Sequence, residues 1–495
     1  MLPSKASKAW AHAAEHPLTT VFVLALCVRL INLALLTGRD AFFAEQDAFA
    51  YWALGAALAK PDTFWPTLSS LTDRMPLYPL LLAGVQHAFG DVPRAVALIQ
   101  AVIDAGTCAL IAALGALISP LTGLIAGVLA ALSVTLVVFS TQILTDSLFL
   151  FFFTLMLLAG ARFLLRPTMG LAVWGGLAGG LALATRPSVA MLLAAAVPLV
   201  FVIALVRRWR GGPALAAALL FAIAAAAPLA PVLVRNAIRY DSLSVTSQTG
   251  DYLALWIVPL VTERADGTPY QTTFDRMDAR YRREAGAEPN PFRRSAIASG
   301  LAWQEMARLP RSALAKAWLE GAVVNLAAPA LLADPRVRAL PKPSFYNTPG
   351  AGLWQKARAY LFEDPGRYQL LLVLGLIAML PFLALEAIGF VMLARTTPWA
   401  AVFAGGVLAY FLLLSGPVAT PKYRLPMEPV LIVLAAIPLA WVVQRRRPIG
   451  AANRPIGRRG AKQRDRYLMR SRMLTYFATA VPPILKMPPR LAFLT

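Results

Sequence analysis

The chain has 495 residues, of which 58% are hydrophobic and 15% are charged, and its mean hydropathy is +0.62. A soluble domain cannot bury this much apolar surface, because a single core stops growing near roughly 250–300 residues. The net charge of +22 could indicate nucleic-acid binding, but the basic residues flank apolar segments and fill the C-terminal tail. This placement follows the positive-inside rule, so we predict an integral membrane protein that binds no nucleic acid.

Apolar segments long enough to cross a bilayer recur along the chain. We predict about ten spanning helices of about 20 residues each, near 19–37, 94–118, 121–140, 143–165, 169–186, 188–206, 213–234, 368–394, 397–416 and 426–443. Two further segments, 75–89 and 312–332, are apolar but short or interrupted, which favours interfacial or re-entrant helices. The predicted fold class is an all-α membrane protein, a polytopic bundle of about 10–13 transmembrane helices.

Basic clusters in the short loops determine the predicted orientation. With a cytoplasmic N-terminus they all fall on the cytoplasmic side: Arg162 and Arg166, then Arg207, Arg208 and Arg210, then Arg395, and finally Arg445 to Arg447. Charge bias in short loops sets orientation, so we predict that both termini are cytoplasmic. The chain then divides into a tail at 1–18, a membrane domain at 19–443 and a basic tail at 444–495, which we expect to be disordered.

Two large segments lie outside the membrane in this orientation, residues 38–93 and 235–367. The second is too long for a structureless connection in a compact protein. It carries mixed charges, several tryptophans and an amphipathic stretch near 296–320. We therefore expect amphipathic helices that lie on the outer membrane surface.

Charged residues at membrane depth are costly and usually mark a pathway or a site. Several fall at the outer ends of the predicted spans or just beyond them: Glu45, Asp47, Arg74, Asp146, Arg186, Arg235 and Arg424. Together they predict one outward-facing cavity at the membrane boundary, although each could by itself mark a water-exposed helix end. Asp47 and Tyr51 are spaced to share a helix face, so a carboxylate and a phenol can point the same way.

Short motifs surround these residues in chain order. An acidic residue after the first span precedes Tyr51, and Arg-x-Pro-x-Tyr-Pro follows over 74–79. The later motifs are Thr145-Asp146-Ser147, Thr185-Arg186-Pro187, Arg235-Asn236 and Tyr423-Arg424-Leu425-Pro426. Over about 40–430 the chain thereby resembles the GT-C superfamily of glycosyltransferases, within it the bacterial group related to protein mannosyltransferases and the lipid A aminoarabinose transferase.

The resemblance implies a reaction and a place for it. A sugar would pass from a polyprenyl-phosphate donor to an envelope glycolipid, glycan or protein, on the outer (periplasmic) face of the bacterial cytoplasmic membrane, usually with inversion. In this family a carboxylate of the first outer loop acts as general base for the acceptor hydroxyl. Asp47 matches that position, and Glu45 is a candidate second acid. A divalent metal ion, if one binds, would use such outer carboxylates.

The leaving group in this reaction is a lipid phosphate, which requires cationic ligands. The guanidinium of arginine offers a planar, bidentate fork that stays charged. The candidate phosphate ligands are Arg74, Arg186, Arg235, Lys422 and Arg424. Arg424 is our first choice, because Pro421 and Pro426 confine its loop. Tyr51, Tyr78 and Asp146 are predicted to line the cavity for acceptor and donor.

Two other classes of protein share parts of this pattern. A polytopic transporter or lipid flippase fits the composition, but would usually show repeated halves and binding groups near the midplane. A polymerase or ligase of surface polysaccharide shares the outward site, but would lack the early acidic-Tyr motif. Gln100 and Asp104 share a face of the second span and are either structural or part of a site. Glu386 lies within a span and has no functional interpretation from the sequence alone.

Overall fold

The computed structural model describes residues 16–43, 46–341, 344–345, 348–350, 352–363 and 365–445, and these form helices joined by turns, with no β-strand among them. The α-helices are α1 (Pro17–Leu35), α2 (Gln46–Leu58), α3 (Pro61–Ser70), α4 (Leu77–Phe89), α5 (Pro93–Ala116), α6 (Pro120–Leu132), α7 (Val134–Ser140), α8 (Asp146–Leu165), α9 (Met169–Thr185), α10 (Ala190–Val206), α11 (Gly211–Ala226), α12 (Ala230–Tyr240), α13 (Thr249–Asp251), α14 (Val258–Asp266), α15 (Tyr270–Ala285), α16 (Pro291–Ala307), α17 (Arg311–Ala327), α18 (Pro335–Arg338), α19 (Leu353–Phe362), α20 (Arg367–Thr396), α21 (Pro398–Ser415) and α22 (Glu428–Arg445). Short 3-10 helices lie at Asp40–Phe42, Pro187–Val189, Ala227–Leu229, Ala330–Ala333 and Pro421–Met427, and a π-helix at Tyr252–Ile257. The predicted all-α class is confirmed, while almost all of both predicted tails lies outside the described residues.

Within the described part of the chain, eight helical segments are long and apolar enough to cross a membrane. They are Pro17–Leu35, Pro93–Ala116, Asp146–Leu165, Pro187–Val206, Gly211–Tyr240, Arg367–Thr396, Pro398–Ser415 and Pro421–Arg445. The pair α6 and α7, bent by 50°, would be a ninth. This count is lower than the ten that the sequence predicts, because α9 has only 17 residues and the predicted span 121–140 is divided into α6 and α7. All ten predicted apolar segments are nevertheless helices, and the polytopic membrane fold is confirmed.

A buried ion pair joins the helices at the start of the chain. Arg29 of α1 is completely buried, and its Nε lies 2.6 Å from Asp104 Oδ2 on α5. Its Nη1 donates to the carbonyl of Ala131 at 2.6 Å, and its Nη2 to the carbonyl of Ala130 at 3.3 Å. Those carbonyls belong to the last turn of α6, where the chain breaks before α7 and helix bonds end. Asp104 is therefore structural, which resolves one of the alternatives that the sequence left open.

The second helical bundle places two of the predicted site residues at the same end. α8 packs beside α9, and α9 packs beside α11. Asp146 is the first residue of α8, and Arg186 directly follows the last residue of α9. Because the two helices are joined by a short turn and run antiparallel, the start of α8 and the end of α9 meet.

The segment between α12 and α20 is helical, as the sequence predicts. α14, α15, α16 and α17 surround a separate apolar core that includes Ile257, Val261, Met277 and Leu301. α17 also approaches the end of α21 closely, since a Cβ on Gly321 would lie 2.0 Å from the carbonyl oxygen of Gly416. This contact fixes the start of the loop that carries Lys422 and Arg424.

We predict that Asp104→Leu lowers the free energy of unfolding by about 3–5 kcal/mol, because it leaves the Arg29 charge buried without a counter-charge. The double variant Arg29→Met/Asp104→Leu should be less destabilised than this single variant, since no isolated charge remains. Thermal unfolding in detergent measures both. A double variant less stable than Asp104→Leu would show that the ion pair does not carry this effect.

The predicted orientation has its own test in a variant without Cys27 and Cys108. A membrane-impermeant maleimide added to intact cells should label Ala287→Cys, in the segment before α16, but not Gly212→Cys, in the loop before α11. Both positions are exposed, and no atom lies within 4 Å of where a Cβ on Gly212 would be. Labelling of Gly212→Cys alone would place the candidate site on the cytoplasmic side.

Candidate active site

Asp47 and Arg74 form an ion pair beside the first turn of α2. Asp47 Oδ1 lies 3.0 Å from Arg74 Nη2, and the Asp47 side chain is 53% exposed while that of Arg74 is 14% exposed. Asp47 is the second residue of α2, where the positive end of the helix dipole favours a carboxylate. Arg74 comes from the turn that leads into α4. The pair therefore presents an accessible carboxylate that is held in place by a largely covered guanidinium.

Tyr51 lies one turn after Asp47, and several charged side chains act on its hydroxyl. The guanidinium of Arg74 is 4.9 Å from the centroid of its ring, which is a cation–π distance. Burial raises the pKa of the Tyr51 hydroxyl, while the positive charges of Arg74, Lys422 and Arg186 act in the opposite direction. Three predicted phosphate ligands from distant parts of the sequence thus lie within electrostatic range of one phenol.

Tyr78 connects this cluster to the helix bundle behind it. Its ring meets that of Tyr51 edge to face with centroids 5.4 Å apart, and its hydroxyl donates to Gln100 Oε1 at 2.7 Å. The amide nitrogen of Gln100 donates to the carbonyls of Ser140 at 3.1 Å and Gln142 at 2.7 Å. Gln100 therefore holds Tyr78 and the turn before α8 together, and its role is structural.

Asp146 and Arg186 form the second ion pair of the cluster. Arg186 Nη1 lies 2.6 Å from Asp146 Oδ1, and its guanidinium lies 5.7 Å from the centroid of the Phe149 ring. Asp146 is buried, and its other oxygen, Oδ2, has no hydrogen-bond partner among the described residues. Such unsatisfied buried oxygens are uncommon and call for a physical reason.

Arg424, the first choice from the sequence, lies in a different environment. Its side chain is 3% exposed, and it pairs with Glu428 at 2.9 Å and with Glu386. Its Nη1 donates to the carbonyl of Leu326. All three guanidinium nitrogens have protein partners, and a phosphate would have to displace them. We therefore do not favour Arg424 as the principal phosphate ligand. Glu386, which had no interpretation in the sequence, is its counter-ion.

Lys422 and Arg424 lie in one short 3-10 helix, Pro421–Met427, but their side chains interact with different parts of the protein. Thr420 caps the start of this helix through its side chain, and Asn325 of α17 bonds the backbone of Thr420 at 3.1 Å. Arg424 anchors the helix in the bundle, whereas Lys422 contributes its charge at Tyr51. The loop predicted to bind phosphate therefore reaches the cluster through Lys422.

Arg235 stands apart from the cluster. Its Nη1 donates to the carbonyl of Leu68 at 2.8 Å, and its Nε and Nη2 donate to Asn236 Oδ1. Asn236 in turn donates to the carbonyl of Ser244 at 2.7 Å. Arg235 thus joins the middle of α12 to the last turn of α3, and these contacts are structural.

The second acid and the metal ion remain sequence-based expectations. Glu45 lies outside the described residues. Among the residues that the structure does describe, no group of three or more His, Cys, Asp or Glu side chains could hold a metal ion. The described partner of the Asp47 carboxylate is Arg74.

Sequence reasoning missed an aromatic contribution from the outer segment. The Tyr252 hydroxyl donates to the carbonyl of Ser415 at 3.1 Å. Burial and a hydrogen bond with Tyr423 raise the pKa of Tyr252, and the charge of Arg186 opposes this shift. Tyr252 therefore lies beside the cluster. Tyr423 opens one of the motifs named from the sequence, but no local pattern marks Tyr252.

Comparisons with known proteins give a match to a family model and matches among solved structures. The model of the dolichyl-phosphate-mannose-protein mannosyltransferase family matches residues 73–232, which include Arg74, Tyr78, Asp146 and Arg186. A search of curated proteins finds no match. Among solved structures, ArnT from Cupriavidus metallidurans, bound to undecaprenyl phosphate, is similar with 15% identity, a TM-score of 0.36, and coverage of 87% of this chain and 78% of that one. The chain is thus a polytopic helical membrane protein, and its resemblance to protein mannosyltransferases is confirmed over residues 73–232, where it is similar to the dolichyl-phosphate-mannose-protein mannosyltransferases.

Proposed function

We propose that the protein is a membrane glycosyltransferase of the bacterial inner membrane. It moves a sugar from a polyprenyl-phosphate donor to a hydroxyl or phosphate acceptor on the outer face, and both termini are cytoplasmic. Residues 19–443 form the catalytic domain. The observation that carries this proposal is the half-exposed carboxylate of Asp47, held by Arg74 in a cluster with two further cations around Tyr51. The family match over residues 73–232 supports the same reaction class.

The charges of the cluster suit an anionic donor. Arg74, Arg186 and Lys422 carry three positive charges, and Asp47 and Asp146 carry two negative ones, so one positive charge is in excess. A lipid phosphate that enters between these cations would form charge-assisted hydrogen bonds, which are about twice as strong as neutral ones. The unpartnered Asp146 Oδ2 is then a candidate acceptor for a hydroxyl of the bound donor.

Asp47 can act as the general base for a hydroxyl acceptor. As the acceptor oxygen bonds to the anomeric carbon, its proton passes to Asp47, and the bond from that carbon to the phosphate oxygen breaks. The electron pair leaves with the lipid phosphate, whose charge the cations stabilise. Attack opposite to the leaving phosphate would invert the anomeric carbon. Arg74 holds Asp47 in position, and exposure leaves the carboxylate open to the acceptor.

The alternative of a transporter or flippase gains no support from the charges at membrane depth. Arg29 is neutralised by Asp104, and Arg424 by Glu386 and Glu428, in buried contacts. Charged residues along a transport pathway usually face the bundle interior or a water-filled cavity. Here these networks are closed by protein partners, and the accessible carboxylate lies beyond the first span.

We predict that Asp47→Asn lowers sugar transfer by about 100-fold, the usual scale for loss of a general base. The asparagine keeps the shape and the contact with Arg74 but cannot take a proton. The gene is deleted, the missing decoration of lipids and envelope glycans is identified by mass spectrometry, and its initial rate of return is measured after expression of each variant.

The matched control for this experiment is Asp62→Asn, an exposed carboxylate in α3. It should restore the decoration at the rate of the unmodified protein. If the Asp47→Asn variant is present in the membrane in normal amount and restores the decoration equally fast, Asp47 is not the general base. No change of any glycan or lipid on deletion would count against a glycosyltransferase altogether.

A further inference from the structure

A strongly basic cleft lies between α15 and α16, in the segment after α12. It has a volume of about 270 Å³ and is lined by Arg276, Met277, Arg280, Arg283, Glu305 and Arg308. Arg276, Arg280 and Arg283 are four and three residues apart, so they share one face of α15. Four guanidinium groups and one carboxylate therefore face a common space, and three positive charges are in excess.

The contacts around the cleft reduce this excess to two positive charges, because Glu284 also pairs with Arg280. Glu305 is shared, because Arg276 lies 2.8 Å and Arg308 3.1 Å from its two oxygens. Arg280 is held by Glu284 at 2.8 Å and by Gln304 at 2.9 Å. Arg283 is exposed and has no hydrogen-bond or ion-pair partner among the described residues. Like charges on neighbouring turns of a helix are destabilising, and a bound anion would remove that cost.

A neighbouring tryptophan indicates where such an anion would come from. Trp303 of α16 is 63% exposed and adjoins Gln304, the partner of Arg280. Tryptophan side chains are enriched at membrane–water interfaces, where the apolar ring and the polar N–H meet both media. An exposed indole on the helix that also carries Glu305 favours a lipid headgroup over a soluble anion.

We propose that this cleft binds a phosphate group, with a phosphorylated lipid headgroup as its source. A guanidinium group binds two phosphate oxygens at once, in bidentate fashion. The guanidinium groups of Arg280 and Arg283 could therefore share the oxygens of one phosphate. This site is separate from the cluster around Tyr51, and its existence does not depend on the proposed reaction.

The test counts lipids bound to the purified full-length protein by native mass spectrometry, with dioctanoyl phosphatidic acid as the probe. Arg283→Gln should weaken the binding of one lipid by about tenfold or more, the scale of one charge-assisted contact. Its side chain has no described partner, so folding should be unaffected. The matched control is Arg282→Gln on the same helix, whose guanidinium pairs with Asp278 outside the cleft. It should bind as the unmodified protein does.

Two further arms identify the ligand and separate the sites. Dioctanoylglycerol, which has the same chains but no phosphate, should not bind at this site. If inorganic phosphate displaces the lipid at an equal concentration, the cleft still binds phosphate, but its ligand is a free anion and the lipid source is wrong. Arg74→Gln should remove a different bound lipid, so that the double variant loses both. Binding unchanged by Arg283→Gln, or equal binding of dioctanoylglycerol, would overturn the proposal.

Discussion

An arginine at or within a membrane is stable only when nearby groups compensate its charge, because the surroundings have a low dielectric constant and little water. This protein meets that constraint in two ways. Arg29 and Arg424 are enclosed by carboxylates and backbone carbonyls of neighbouring helices. Arg74 and Arg186 each pair with one carboxylate and remain partly exposed. The enclosed arginines hold the bundle together, and the partly exposed ones lie in the candidate site.

The buried contacts of Arg29 and Arg424 hold in place the segments that carry the candidate site. Arg29 joins α1 to α5 and to the break after α6, and the short helix α7 leads from that break to the turn before Asp146. Arg424 joins the 3-10 helix that carries Lys422 to α20 and α22. Gln100 holds Tyr78 and the turn at Gln142 in one network. The cluster around Tyr51 therefore depends on buried polar contacts, since an open group of charges cannot position itself.

The fold was predictable to the extent that it depends on apolar length. Each predicted apolar segment is a helix, because a run of about 20 apolar residues carries its own signal. The short motifs also predicted a cluster, and Asp47, Tyr51, Arg74, Arg186 and Lys422 do lie together. Their catalytic and binding roles remain proposals.

What the sequence could not predict depends on packing between distant helices. Arg424 and Glu386 are 38 residues apart in the chain, and only the packing of α20 against the 3-10 helix turns them into a pair. For the same reason Arg235 appeared equivalent to Arg74, although its donors are taken up by Leu68 and Asn236. Tyr252 reaches the cluster from a segment without any motif. Spacing along a sequence indicates which residues could share a face, but it does not show which partner each charge will meet.

The central claim is that the lipid phosphate of the donor binds between the partly exposed cations. The most direct measurement is a cryo-electron microscopy structure of the protein in a lipid nanodisc with a polyprenyl phosphate added. We expect phosphate density within hydrogen-bond distance of Arg74, Arg186 and Lys422, with Arg424 still paired to Glu386 and Glu428. Phosphate density on Arg424, with its two glutamates displaced, would contradict the account and would return the site to the arginine that the sequence favoured.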